Sequence, residues 1–228
     1  RNPSNRRITK GKRRIVFVMN PISGTQGKRT ILRYIHQLMD RERCDYQVVR
    51  TKYAGHATEI AKQAVDERVD MVVAIGGDGT INEIAKALVH SNTALGIIPC
   101  GSGNGLARHL RIPMEPKAAV ELINSGKRLC IDYGKINGLP FFCTCGVGFD
   151  AFVSLKFADS GKRGLLTYLE NTLHESLTYK PETYEIENEE GTKRYNAFLI
   201  ACGNASQYGN NAYITPQASL TDGLMDVT

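Results

Sequence analysis

The sequence predicts an α/β domain built on a parallel sheet, followed by a β-rich, mostly antiparallel domain. Three observations carry that expectation. Apolar runs of strand length alternate with helix-period segments as far as about Leu129. One of these runs, "VDMVVAIGG", is continuously apolar, as strands covered on both faces of a parallel sheet are. Beyond Leu129 the alternation stops, and Asn137-Gly138 separates two strand-like runs, a strong hairpin signal. The expected organisation is a basic leader over 1–13, the α/β domain over 14–129 and the β-rich domain over 130–228.

Taken in order, "RRIVFVMN" reads as a buried strand and "PISGTQGK" as a loop. "RTILRYIHQLM" follows as a helix with apolar residues at 3–4 spacing. "CDYQVVRT" is a second strand, followed by a helix from about His56 to Glu67. The third strand leads into a helix over Ile81–Val89. "TALGIIPCG" is a fourth strand, running into a helix over Asn104–Leu110. "EPKAAVELINSG" closes the domain as a helix with Gly126 at its C-cap. In the second domain, "CIDYGKINGLPFFCTCGVGFDA" forms the first hairpin. A helix over Arg163–Tyr179 is stopped by Pro181, and "TYEIENEEGTKRYNAFLIACGN" forms a second hairpin. The chain stops in what reads as a strand, so the β-rich domain is expected to be incomplete here.

Composition excludes several classes. The longest apolar runs, such as Ile15–Met19 and Met71–Ile75, are strand-sized, so the sequence offers no transmembrane helix. No apolar segment of a signal peptide stands at the N-terminus. The net charge of +6 belongs to the leader, because residues 1–14 hold seven Lys/Arg and leave 22 basic against 23 acidic residues. A solvated leader explains that better than nucleic acid, and no nucleic-acid partner is expected. The six cysteines include no C-x-x-C pair, so neither a zinc signature nor a disulfide framework is visible, and reduced, cytoplasmic thiols are expected. Cys143 and Cys145, spaced i, i+2, would share one face of a strand. His36, His56, His90, His109 and His174 are scattered without metal-ligand spacing and read as surface or helix-end residues.

Three strand-to-helix loops are small or glycine-rich: Asn20–Gly27, Gly76–Thr80 and Gly101–Gly105. In a parallel α/β sheet they lie together beyond the carboxyl ends of the strands, where ligands bind. Glycine lets backbone approach a phosphate, and helix N-termini add free amides, so a nucleotide or polyphosphate site follows. It is neither of the best-known kinds. "SGTQGKRT" lacks the first glycine of a P-loop, where Ile22 stands, and "GSGNG" lacks the third dinucleotide-binding glycine. Thr80 and Glu83 have capping-box spacing, and Ser102 could begin a helix, so each has a structural reading beside phosphate contact. Asp78 is harder to explain. Asp before Gly is common turn chemistry, but a carboxylate among loops built for phosphate repels the ligand unless it holds Mg²⁺ or accepts a proton. Both roles belong to phosphoryl transfer.

"NPISG", "GGDGTINE" and "PCGSGNGLARHLRIP", in that order, resemble the diacylglycerol kinase catalytic domain family of lipid kinases. That family includes sphingosine and ceramide kinases and soluble bacterial lipid kinases. The resemblance runs from Arg14 to Thr228 and takes in "GVGFDA" and "SLTDGLMDV". It implies an α/β nucleotide-binding domain and a β-rich lipid-binding domain, with ATP and Mg²⁺ as cofactors in the cleft between them. Asn20, Ser23 and Gly24 would then lie by the nucleotide, and Thr51 would contact ATP. Gly76, Gly77, Asp78, Gly79, Thr80, Asn82 and Glu83 would form the main phosphate loop, and Ser102, Gly103 and Asn104 the second. Asp78 would deprotonate the lipid hydroxyl. A structural Mg²⁺ would be held by Asp222 with the carbonyls of Ser219 and Leu224.

The soluble bacterial members add a downstream glutamate as proton acceptor, in a stretch this chain does not reach. The resemblance also implies peripheral contact with a membrane surface, where the lipid is met, and allows a homodimer. "GSGNGLARHL" looks closer to the long-chain-base kinases than to bacterial diacylglycerol kinases. Phe141, Phe142, Phe149 and Phe152 would line an apolar acceptor pocket or serve as ordinary core. The competing readings are an NAD kinase-like phosphotransferase sharing the GGDGT loop, and a non-enzymatic nucleotide-binding module.

Overall fold

The computed structural model describes residues 11–21, 27–149, 151 and 179–228. The leader as far as residue 10, Phe152, His174 and all but the last residue of the helix expected over 163–179 lie outside them.

Strands β1 (Arg13–Met19), β2 (Cys44–Arg50), β3 (Met71–Gly76) and β4 (Ala94–Pro99) make one sheet in the order β2-β1-β3-β4, every pair parallel. Among the described residues, five helices accompany it: α1 (Lys28–Leu38), α2 (His56–Asp66), α3 (Asp78–Leu88), α4 (Gly105–His109) and α5 (Pro116–Ser125). Alternation along the strands divides the core into two layers. Ile15, Phe17, Met19, Val73 and Ile75 pack with Ile31 and Ile35 of α1 and Val120 of α5. Val16, Val18, Val72 and Ala74 pack on the other face with Ala61 of α2 and Ile84 of α3. Both faces are covered, which accounts for the unbroken apolar run in β3. Each of the Val, Ile, Met and Phe side chains among them, taken fully out of water, contributes about 1.5–3 kcal/mol. β2 stands at the sheet edge and accordingly keeps polar residues along its length.

Helix ends follow local chemistry in one case and depart from it in another. α5 begins as expected, with Pro116 in its first turn and the Glu115 carboxylate accepting from the amides of Lys117 and Ala118. It ends at Gly126, whose φ of 67° is the left-handed conformation a C-cap favours. α3 differs from the capping-box expectation. It starts at Asp78 with Gly77 as N-cap and no side-chain cap. Thr80 is therefore a buried helical residue inside the first turn, and Glu83 has no N-cap hydroxyl to complement.

The β-rich region is more divided than the two long hairpins expected. β5 (Gly134–Ile136) and β6 (Leu139–Phe141) pair around Asn137 and Gly138, whose φ values of 49° and 80° suit a type I′ turn. Beyond this ladder the Asn204 side chain donates to the carbonyls of Asp132 (2.8 Å) and Phe142 (3.0 Å). The residues that follow form β7 (Thr144–Gly148), and β8 (Glu182–Asn188) pairs with β9 (Gly191–Ala197) as a separate hairpin. β10 (Leu199–Gly203) and β11 (Asp226–Val227) join β7 in an antiparallel sheet of order β11-β10-β7. Phe141, Phe142 and Phe149 are buried, as the core reading of these aromatics expects. Cys145 lies in β7 opposite Cys202, whereas Cys143 precedes the strand.

The two regions share packing. Leu106 and Ala107 of α4 belong to the same apolar cluster as Phe142, Ala205 and Leu220. Beside them His109 Nδ1 accepts the Ser206 amide (3.0 Å) and lies 2.9 Å from its hydroxyl. Burial, and then the charge of Arg111, hold this imidazole below the ordinary histidine value. The folded state thus binds fewer protons here than the unfolded chain. The stabilisation is complete above the unfolded pKa of about 6.5 and falls away as the pH drops below it. Denaturation midpoints measured from pH 7.5 to pH 5 should fall less steeply for His109→Gln than for the unaltered chain.

Candidate functional site

The strand order places a topological switch point between β1 and β3, since α1 leads outward to β2 and the chain then returns across β1 to β3. Ligands of open α/β sheets bind beyond the carboxyl ends at such a point. Asn20 stands there. Its amide donates to the Ile75 carbonyl (3.3 Å), and its side-chain nitrogen lies 3.4 Å from Thr80 Oγ1. Thr51 closes β2 alongside, its amide donating to the Met19 carbonyl (2.9 Å). Ser23 and Gly24 lie outside the described residues.

Two glycine loops meet backbone to backbone at this end of the sheet. A Cβ on Gly77 would come 3.0 Å from Gly101 Cα, and one on Gly101 would come 2.6 Å from Gly77 Cα. Gly76 is equally confined, since a Cβ there would stand 2.6 Å from the Thr80 side chain. Gly79 has open space around it. Asn82 and Glu83 are half-buried further along α3, and the Glu83 carbonyl accepts from the Thr58 hydroxyl (2.9 Å).

Asp78 is the clasp between these loops. Its carboxylate oxygens accept from the amides of Asn104 (2.8 Å) and Gly105 (2.9 Å). Those are the first amides of α4, which has no side-chain cap of its own because its N-cap Asn104 is left-handed (φ 57°). An aspartate among glycines thus supplies a cap across the fold. Although Asp78 is exposed on its outer side, its carboxylate lies deep enough between the loops for desolvation to push its pKa upward. The amide bonds oppose that shift. The Asn104 side chain closes the second loop on itself, accepting from the Gly101 amide (2.9 Å) and donating to the Gly101 carbonyl (2.7 Å). Ser102 is exposed before Gly103, and the helix begins only after Asn104, so Ser102 is not its first residue.

Several neighbours went unread in the sequence. Cys143 Sγ bonds the Gln207 carbonyl (3.2 Å), and a Cβ on Gly105 would come 2.9 Å from that sulfur. Burial first, and then the charge of Asp78, push this thiol up to about 12, so it stays protonated and unreactive at neutral pH. From the β-rich region, Asn210 reaches the carbonyl of Ser102 (2.6 Å). Arg108 bonds both the Gly103 carbonyl (3.0 Å) and Asn210 Oδ1 (3.2 Å). The signal that could have found Asn210 is the run Gly209-Asn210-Asn211, residue types that tolerate left-handed backbone.

The residues named for Mg²⁺ form a separate turn. Asp222 Oδ1 accepts the Leu224 amide (3.0 Å), and the Ser219 and Thr221 hydroxyls lie 3.4 Å apart. Asp132 was not foreseen: its Oδ2 accepts the Gly223 amide (2.8 Å), which puts a second carboxylate at the turn. Among the described residues no cluster of three or more His, Cys, Asp or Glu side chains could hold a metal ion.

Comparison with known proteins gives this arrangement its context. Residues 14–136 match the family model described as the diacylglycerol kinase catalytic domain. The chain belongs to that family. Residues 143–228 match a second model, the YegS C-terminal NAD kinase beta sandwich-like domain. A "Probable lipid kinase YegS-like" of Klebsiella pneumoniae (strain 342) is 32% identical over 209 residues, covering 90% of this chain and 70% of that protein. A "Diacylglycerol kinase" of Bacillus subtilis (strain 168) is 31% identical over 221 residues, covering 94% and 73%. A crystal structure described as a diacylglycerol kinase from Bacillus anthracis (strain Sterne) superposes with a TM-score of 0.74. It covers 96% of this chain and 72% of its own, and at 23% identity it speaks for the fold. The protein is thus a member of a lipid kinase family, with an α/β domain followed by an antiparallel β-rich region.

Proposed function

We propose that this protein transfers the γ-phosphoryl group of ATP to the hydroxyl of a lipid such as diacylglycerol or a sphingoid long-chain base. The observation that carries the proposal is the Asp78 clasp. It joins the glycine loops that follow β3 and β4, beside the switch point, and holds a carboxylate next to backbone suited to phosphate. Asp78 is exposed on its outer side, which leaves the carboxylate open to a hydroxyl. Desolvation raises the pKa of Asp78 toward the range a base needs, and the amides keep it ionised. In the transfer, the lipid oxygen bonds the γ-phosphorus as the bond to the β-phosphate oxygen breaks. ADP leaves, and Asp78 receives the hydroxyl proton. Asn20, Thr51 and Thr80 border the nucleotide, and Ser102 and Gly103 face its phosphates.

The oxygen donors at the Asp222 turn, a carboxylate with the carbonyls of Ser219 and Leu224, are of the hard kind that suits Mg²⁺, and Asp132 adds negative charge beside them. There the ion would rigidify the turn. At the phosphates, Mg²⁺ would offset their charge. The acceptor lipid would be met by peripheral contact with a bilayer, and no helix among the described residues is long and apolar enough to cross one.

A transfer assay tests the proposal. ATP and Mg²⁺ are offered with diacylglycerol, a long-chain base and ceramide in mixed micelles, NAD alongside, and products are identified by mass. One phosphorylated lipid is the expected result. Phosphorylated NAD with untouched lipids would overturn the lipid assignment and favour the second reading, for which the NAD kinase-like C-terminal match speaks.

A further inference from the structure

In the loop Gly101–Gly105 the carbonyls are engaged by the protein itself. Gly101 O accepts from the Asn104 side chain (2.7 Å), and Ser102 O from the Asn210 side chain (2.6 Å). Gly103 O accepts from Arg108 Nε (3.0 Å) and from the Asn210 amide (3.3 Å). The amides of Gly101, Asn104 and Gly105 are engaged as well, by Asn104 Oδ1 and by Asp78. Among the described residues, the Ser102 and Gly103 amides alone in this loop have no protein partner.

That distribution has a polarity. A phosphate is attracted by amide N–H groups and repelled by carbonyl oxygens, so a loop binds it well only when its carbonyls are turned elsewhere. Two of these carbonyls are drawn away by a residue of the β-rich region. Asn210 is held in place by its own left-handed backbone (φ 48°) and by Arg108 Nη2, which bonds its Oδ1 at 3.2 Å. Gly209 brings this segment against the Gly103 backbone, and Gly209 and Asn104 form a β-bridge.

We propose that Asn210 and Arg108 are positioning residues that give the Ser102–Gly103 loop its phosphate-binding polarity, so that nucleotide affinity in the α/β domain is set from the β-rich region. This rests on reading the loop as part of the nucleotide site. The two residues do not touch the phosphates. They hold the Ser102 and Gly103 carbonyls away and thereby leave the amides facing outward.

The test is calorimetric titration with ADP and Mg²⁺, run beside thermal denaturation. Asn210→Gly removes the side chain while tolerating the left-handed backbone, and should weaken ADP binding roughly 10-fold, since hydrogen bonds to charged groups carry that much free energy. Asn210→Asp keeps an acceptor for Arg108 but sets an oxygen against Ser102 O, and should weaken binding further. Arg108→Lys should fall between the unaltered chain and Asn210→Gly. Asn211→Gly is the control: it changes a second left-handed asparagine (φ 63°), whose amide bonds Gln207 Oε1 (3.1 Å), and should bind ADP as the unaltered chain does. A purely structural role would lower the denaturation midpoint and leave the affinity of the folded protein unchanged. That outcome overturns the inference while the nucleotide site stands. Failure of the unaltered chain to bind ADP would overturn both.

Discussion

Asp78→Asn should lower phosphoryl transfer by about 10²–10⁴-fold, the range associated with losing a positioned proton acceptor. It should also raise the KM for ATP. The second effect comes from the clasp. Both carboxylate oxygens accept backbone amides, from Asn104 and Gly105, and an Asn side chain has one oxygen and one NH₂. One of those amides would then face a donor, and a polar group left unsatisfied in a partly buried site costs about 1–3 kcal/mol. The second glycine loop should loosen and the denaturation midpoint fall. The measurements are kcat, KM for ATP and the midpoint on one preparation. Lost kcat with unchanged KM and midpoint would leave Asp78 as a base alone. Unchanged kcat would remove it from the transfer.

Gly209→Ala should have the largest effect on stability. Gly209 has φ 122°, a backbone region closed to side chains, and a Cβ there would overlap the carbonyl carbon, carbonyl oxygen and Cα of Gly103. Backbone strain of this kind costs about 1–3 kcal/mol, and overpacking costs about as much again. The neighbouring atoms are backbone of the second loop, which cannot swing aside as a side chain could. Denaturant titration should therefore show a destabilisation of about 2–6 kcal/mol. Whatever protein remains folded should bind nucleotide poorly, because Gly103 is displaced. A midpoint within error of the unaltered chain would mean that the two regions do not meet as described.

How far the sequence could be read follows from where each signal lies. The α/β half was legible because its determinants are local: apolar runs of strand length, helices at 3–4 spacing, and the Pro116 to Gly126 punctuation of α5. The second and third glycine loops were legible as neighbours because parallel strands bring their carboxyl ends together. Cap assignments were less secure. Thr80 and Glu83 have the spacing of a capping box, but Gly77 packs on Gly101 and the helix begins at Asp78, which leaves Thr80 inside the first turn. The β-rich half was read as two long hairpins, and local alternation could not reveal that β7 pairs with β10, whose partner strands lie some fifty residues apart. Nor could it reveal that the Asn204 side chain bonds the carbonyls of Asp132 and Phe142.

The sequence by itself determined the parallel α/β class and the membership of a lipid kinase family, since these depend on residue types at fixed short spacings. Only the tertiary structure decided what Asp78 touches, which carbonyls of the second loop are engaged by the protein, and that Asn210 and Arg108 engage two of them. The reason is physical. A hydrogen bond between residues 26 or 108 positions apart leaves no period in the chain, and it exists only once the fold has brought the two loops and the β-rich region together.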